Sequence, residues 1–278
     1  MHATIEEAVK RAQADDKSAL EFIVAQIQDK IYGLALRFLW HPEDARDATQ
    51  EILIRVITRL GSFRFESAFP TWVYRVAANY LIKARQSRLE RRHYTFARFG
   101  SELEEGLSDE ALQIESDVEK TLLLEEIKIG CTLGMLLCLD RSHRLAYILG
   151  DILELPGNEA AQILEITPEA FRKRLSRARH EIVSFMQMKC GLVQPSNACR
   201  CRRRVNHALR LGRIDSKHLL FARDLDQARR FPAVLAEIRK LEDTQRAVAL
   251  YRAHPNYSVP ASFIAMIKNL LQVRDTAH

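Results

Sequence analysis

DILELPGNEAAQILEITPEAFRKRLSRARHEIVSF, residues 151–185, is the stretch from which the rest of the chain can be read. Its apolar residues fall at Ala160, Ala161 and Leu164. After the Glu165-Ile166-Thr167 break they fall at Phe171, Leu175, Ala178 and Ile182, which predicts two short helices joined by a tight turn and packed on one face. Thr167, Pro168 and Glu169 suit the start of the second helix: a hydroxyl cap, a proline at the first helical position and a carboxylate in the first turn. Its opposite face carries Arg172, Lys173, Arg174, Arg177 and Arg179. A basic helix held across a small apolar partner is the helix-turn-helix arrangement, whose second helix enters the major groove. The same spacing also fits an ordinary helical hairpin with a solvated basic face, and these residues alone do not separate the two.

Working outward, 278 residues suit two or three small domains. Apolar residues make up 47%, enough for real cores and too many for disorder throughout. The net charge of +6 is unevenly spread. Acids concentrate around residues 102–126 and arginines around 85–92, 172–179 and 200–213, and the last grouping raises the nucleic-acid reading. No apolar run approaches a membrane span and the N-terminus has no signal-peptide core, so the expected location is cytoplasmic, with no membrane partner. Cysteines there stay reduced, and clustered ones read as metal ligands or redox sensors before disulfides. Apolar positions recur at three and four residues nearly everywhere, which predicts an all-α fold. Glycine-rich phosphate loops, the HExxH zinc motif and the nucleophile elbow are all missing, so no enzyme is expected.

Thr4 to Glu7 has the spacing of a capping box, and Ala19 to Leu39 reads as a second helix. A third, from about Glu43 to Leu60, buries Ala45, Ala48, Ile52, Val56 and Leu60 and shows Asp44, Asp47, Gln50 and Glu51 on its other side. An acidic face on a basic chain is either a solvated surface or a docking site for another protein. Next, Phe63, Phe65 and Phe69 sit in or beside a short loop, and Pro70 opens a helix carrying Trp72 and Tyr74. Along that helix Thr71, Arg75, Asn79 and Lys83 repeat every four residues and form one polar edge. Rings beside arginines and an asparagine suit single-stranded DNA, each base stack contributing about 1–3 kcal/mol. Phe69 and Trp72 fit the core better, which leaves the loop residues and the polar edge for function.

Asp44 to Asn79 closely resembles region 2 of the bacterial sigma-70 family in its compact extracytoplasmic-function (group 4) form. Asp47, Gln50 and Glu51 carry the likeness in one helix, followed by Phe63-Arg64, Glu66-Ser67, Phe69, Thr71-Trp72, Tyr74-Arg75 and Asn79. Residues 151–185 resemble region 4 of the same family through Glu159, Ala161, Ile163-Leu164, Ile166, Arg174-Leu175 and Arg177-Ala178-Arg179. The resemblance implies a transcription initiation factor that binds core RNA polymerase and promoter DNA. Asp44, Asp47, Gln50 and Glu51 would dock on the clamp helices of the polymerase β′ subunit. Phe63, Arg64, Phe65, Ser67, Thr71, Arg75, Asn79 and Lys83 would recognise and melt the −10 element. Glu169, Arg172, Lys173, Arg174 and Arg177 would meet the −35 element. It also implies region 2 over 1–95, an acidic flexible linker over 96–118 near the RNA exit path, region 4 over 119–188, and a helical extension over 189–278. Gly100-Ser101, Glu104-Glu105-Gly106 and Ser108-Asp109 favour an extended linker. Three positions depart from the family pattern: Lys83 stands where an acid is usual, Glu165 takes the glycine position of the turn, and Pro168 replaces a small or branched residue. Ile129 to Leu153 matches the first region 4 helices in apolar pattern only. On its apolar side, Cys131 and Cys138 read as packing residues.

The extension brings Cys190, Cys199 and Cys201 close together, with His207 following. Soft thiolate ligands suit zinc or copper, although Cys-x-Cys is tighter than usual zinc spacing, and a structural turn is the competing reading. Neighbouring arginines would lower the thiol pKa and allow a redox sensor. Amphipathic helices are expected near Phe231 to Tyr251 and Pro260 to Val273. Such an appendage would regulate intramolecularly, in place of a separate anti-sigma factor. Two rival readings are a stand-alone helix-turn-helix regulator, which leaves Phe63 to Asn79 unexplained, and a metal- or redox-sensing interaction protein derived from a sigma factor.

Overall fold

The computed structural model describes residues 4–86, 90, 94–112 and 114–266. The described residues are helical, with one isolated bridge between Cys190 and Cys199 and no strand. They form two compact units: Met1–Arg85 with Pro156–Phe171 and Asn256–His278, and Gln86–Leu155 with Arg172–Pro255.

In the first unit α1 (Ile5–Gln13) starts at a complete Thr4/Glu7 capping box, and α2 (Lys17–Leu39) is capped by Asp16. α3 (Pro42–Thr58) begins at its proline, with Glu43 and Asp44 in the first turn, where the helix dipole favours them. A 3-10 turn, Leu60–Ser62, leads towards α4 (Phe69–Lys83). α2 packs on α1, α3 and α4, burying Ile23, Ile27, Ile31, Leu34 and Phe38 with Ile52, Leu53 and Val56 of α3 and Val73, Ala77 and Leu81 of α4. Each of these side chains other than Ala77 contributes about 1.5–3 kcal/mol on burial. The short helix α8 (Gly157–Ile163) packs on α4.

The second unit forms around α6 (Asp117–Leu137), which buries Leu123, Ile129, Leu133 and Leu136. α7 (Arg141–Tyr147) and a π-turn, Ile148–Ile152, follow, and Arg144 donates to the carbonyls of Leu136, Leu137 and Leu139 that the end of α6 leaves open. Arg144 also pairs with Glu90 at 2.8 Å. α9 (Pro168–Lys189) follows, and α10 (Cys201–Arg210), α11 (Leu225–Ile238) and α12 (Asp243–Arg252) complete the second unit, α10 and α11 lying on α6. Glu126, buried on α6, accepts the N–H groups of Leu220, Phe221 and Ala222 at 2.8–2.9 Å and so fixes the loop ahead of α11.

Three sequence expectations change. The stretch expected to be extended contains α5 (Phe96–Glu105), because Thr95 caps it and Phe96 and Phe99 pack on Phe185 at 5.1 and 5.7 Å. The helix expected from Phe231 to Tyr251 is two helices, α11 and α12, broken between Ile238 and Asp243. Of the helix expected from Pro260 to Val273, the half from 267 onward lies outside the described residues, and 264–266 are helical.

Candidate nucleic-acid interface

Three surfaces carry the residues singled out from the sequence. On α3, Ala45, Ala48, Ile52 and Val56 face the core, which turns Asp44, Asp47, Gln50 and Glu51 to solvent, and all four are exposed. Arg46 lies 3.5 Å from Asp47, a loose ion pair.

The loop before α4 is held from behind, where the Gln13 amide donates to the Leu60 and Phe63 carbonyls at 2.9 Å each. Phe63 was expected to contact DNA but is a core residue, 5% exposed and wedged between Phe69 and Trp72 at 5.4 Å from each. Phe65 differs, because a φ of 59° turns its backbone left-handed and leaves its ring 38% exposed, 4.8 Å from Phe63 and under Lys10. Arg64 is exposed and Ser67 half-buried. The fold thus presents a single ring on a firm aromatic base.

The polar edge of α4 is occupied. The Thr71 hydroxyl, 3% exposed, donates to Glu159 of α8 at 2.7 Å, and the Asn79 amide donates to Glu165 at 3.1 Å. Between them Arg75 Nε is buried with no hydrogen-bond partner among the described residues, and Lys83 beyond is exposed. Burial raises the pKa of the neighbouring Tyr74 phenol; Arg37 opposes the rise and Glu159 adds to it. Apart from an acid at a turn position that favours glycine, Glu165, sequence pattern gave no sign that Glu159 or Glu165 meets α4.

The turn before α9 closes as expected: Ile166 N–H donates to Ala161 O at 3.1 Å, and Ala170 N–H to the Thr167 hydroxyl at 3.2 Å. Glu169, Arg172, Lys173 and Arg177 are exposed and Arg174 is half-buried, while Phe171, Ala178 and Ile182 are buried. Arg172, Arg174 and Arg177 make no ion pair among the described residues. Arg179 does: its guanidinium forms a two-point contact with Asp151 at 2.6 and 3.0 Å, which raises its pKa and removes it from the reading face.

In the other arginine group, 200–213, Arg200, Arg203, Arg204 and Arg213 are tied to the chain itself, while Arg202 and Arg210 are exposed. Arg200 donates to the carbonyls of Asn197, Cys199 and Pro195, and Arg203 to Ala198 O and Asp109. Arg204, 6% exposed, donates to Glu102 O and Leu103 O at 2.9 Å, and Arg213 meets Glu102 at 3.0 Å. The nearby arginines do act to lower the thiols of Cys190 and Cys199, as expected, but they are outweighed. Burial dominates and pushes Cys199 up to about 11, and it raises Cys190 and Cys201 as well. Nor does the expected metal set assemble. His207 and Arg204 both lie against Gly106, and among the described residues no group of three or more His, Cys, Asp or Glu side chains is arranged to hold a metal ion. No helix among them is long and apolar enough to cross a membrane.

The fold is thus a helical one with a helix-turn-helix, an exposed acidic helix face, and a solvent-facing ring beside a polar helix edge. The family model for sigma-70 region 2 matches residues 23–91. The RNA polymerase sigma-H factor of Pseudomonas aeruginosa is 32% identical over 187 residues, 66% of this chain and 93% of that protein, and the ECF RNA polymerase sigma-E factor of Escherichia coli is 31% identical over 183 residues, 64% and 92%. The chain belongs to the sigma-70 family, extracytoplasmic-function group: it is an RNA polymerase sigma factor that acts in transcription initiation, with core polymerase and promoter DNA as partners. Among solved structures, the sigma factor RpoE in complex with the anti-sigma factor NepR from Bartonella quintana matches over 59% of this chain and 94% of that one, at 18% identity and a TM-score of 0.37.

Proposed function

We propose that the three surfaces divide the work of initiation. Asp44, Asp47, Gln50 and Glu51 on α3 grip the β′ clamp helices. Phe65, with the loop at Arg64 and Ser67 and the edge Thr71, Arg75, Asn79 and Lys83, takes the unpaired −10 strand. Glu169, Arg172, Lys173, Arg174 and Arg177 on α9 enter the major groove at −35. The observation that carries this reading is the opposite charge of two exposed helix faces: a surface that avoids DNA on α3 and one that attracts it on α9. One exposed ring on an aromatic base also suits base stacking, since unpairing a base costs a few kcal/mol and the stack returns about 1–3.

Residues 256–263 support an intramolecular regulatory role for the extension. Asp29 and Gln28 of α2 accept the N–H groups of Val259 and Phe263 at 2.9 and 3.1 Å, and Arg37 covers the Tyr257 ring at 4.7 Å. In this reading the segment acts in place of a separate anti-sigma factor.

The test is transcription with purified core polymerase. Asp47→Arg with Glu51→Arg should weaken core binding at least tenfold and leave binding of duplex DNA by the free chain unchanged. A chain ending at Pro255 should initiate more at the same concentration. Core affinity unmoved by the charge reversal contradicts the docking assignment.

A further inference from the structure

The edge assigned to −10 DNA is already filled. Thr71 and Asn79 lie two helical turns apart on α4, and each donates to a carboxylate of one short segment, Glu159 in α8 and Glu165 in the turn that follows. The two carboxylates put an acceptor at either end of the edge, and the helix that carries Glu159 packs on α4. We infer that α8 and its turn form a carboxylate latch that closes this edge and must leave before single-stranded DNA enters. The inference rests on the promoter role proposed for α4.

Two further observations support a latch over ordinary packing. Glu165 has a φ of 54°, a left-handed conformation that glycine adopts freely and glutamate adopts at a cost. A glycine would make the same turn with less strain but could not accept from Asn79, so the contact offsets that strain. The cover is also incomplete. Arg75 Nε, between the two anchored groups, is buried without an acceptor, a penalty the closed form carries and that a phosphate oxygen on an entering strand would relieve. Two satisfied ends with an unsatisfied middle describe a closed state set to exchange its carboxylates for a polyanion.

Hydrogen exchange of the full-length chain, alone in solution, tests the latch without reference to any promoter. In a Glu159→Ala/Glu165→Gly variant, amides of residues 157–164 should exchange at least tenfold faster than in the parent, with far-UV helicity and the protection of α2 and α3 retained. Thr71→Val with Asn79→Ala removes the same two bonds from the other side and should give the same release. Protection of α8 unchanged in both variants overturns the inference, because packing alone then holds the segment. Transcription at limiting chain concentration from a genomic fragment library is the second reading: initiation several-fold above the parent in Glu159→Ala/Glu165→Gly supports the latch, and an unchanged level overturns it. Should neither parent nor variant initiate, the promoter role fails and the exchange rates alone decide whether the segment is latched.

Discussion

α9 and α10 are both arginine-rich, and in sequence they look alike. In the fold they are opposites. Arg172, Arg174 and Arg177 on α9 stand without ion pairs among the described residues, on a helix whose other face is anchored by Phe171, Ala178 and Ile182. Around α10, Arg200, Arg203, Arg204 and Arg213 donate to carbonyls and carboxylates of the chain itself. One set is available to phosphates and bases, and the other closes backbone groups that no helix satisfies. A count of positive charge therefore locates DNA binding only when the partners of each charge are known.

The largest effect expected from breaking this contrast lies around α10. A Cβ at Gly191 would sit 2.2 Å from the Cys199 carbonyl, a backbone atom with no rotamer to yield, so Gly191→Ala should destabilise the second unit by about 3 kcal/mol or more and lower its melting temperature. Arg204→Leu strands the Glu102 and Leu103 carbonyls and should cost about 2–4 kcal/mol in the same melt, with affinity for promoter DNA unchanged in the folded fraction. On α9 the outcome reverses. Arg174→Ala should leave melting in place and weaken −35 binding by about 1–3 kcal/mol if it reads a base, whereas a phosphate contact would lower affinity for all sequences and flatten the salt dependence.

Thiol chemistry sharpens the comparison more gently. With Cys199 held near 11 by burial, its thiolate fraction at pH 8 is small, so iodoacetamide should alkylate it on the order of 100-fold more slowly than an open cysteine, until denaturant exposes it. The smallest effect belongs to Asp140, which caps α7 through Ser142 and His143 N–H. Burial works to raise its pKa, but donation from His143 and Ser142 outweighs that and brings it to about 2. A depressed carboxylate stabilises above its unfolded value near 3.9 and loses that stabilisation as pH falls towards about 2. Asp140→Ala should therefore cost about 1 kcal/mol at neutral pH, with the difference vanishing in acid denaturation.

Much of the frame was legible in the sequence because it rests on local signals. Thr4/Glu7 and the Thr167-Pro168-Glu169 start set helix ends where expected, and α3 turned its acids outward as its period required. What escaped depends on tertiary partners. Phe63 and Phe65 are indistinguishable two residues apart in a loop, yet a left-handed backbone at Phe65 sends one ring outward while its neighbour joins the core. Gly100 and Ser101 argued for an extended linker, and packing of Phe96 and Phe99 on Phe185 overrode them. Glu126 and Arg204 satisfy backbone groups about a hundred residues away, which no periodicity announces.

The most direct measurement is start-site mapping of transcripts made by purified core polymerase with the full-length chain and two sets of substitutions. Discrete start sites should appear with the parent, fade with Arg172→Ala/Arg174→Ala/Arg177→Ala, and persist with Arg202→Ala/Arg210→Ala, the exposed arginines of α10. Start sites that survive the first set and vanish with the second would contradict the assignment of DNA reading to α9.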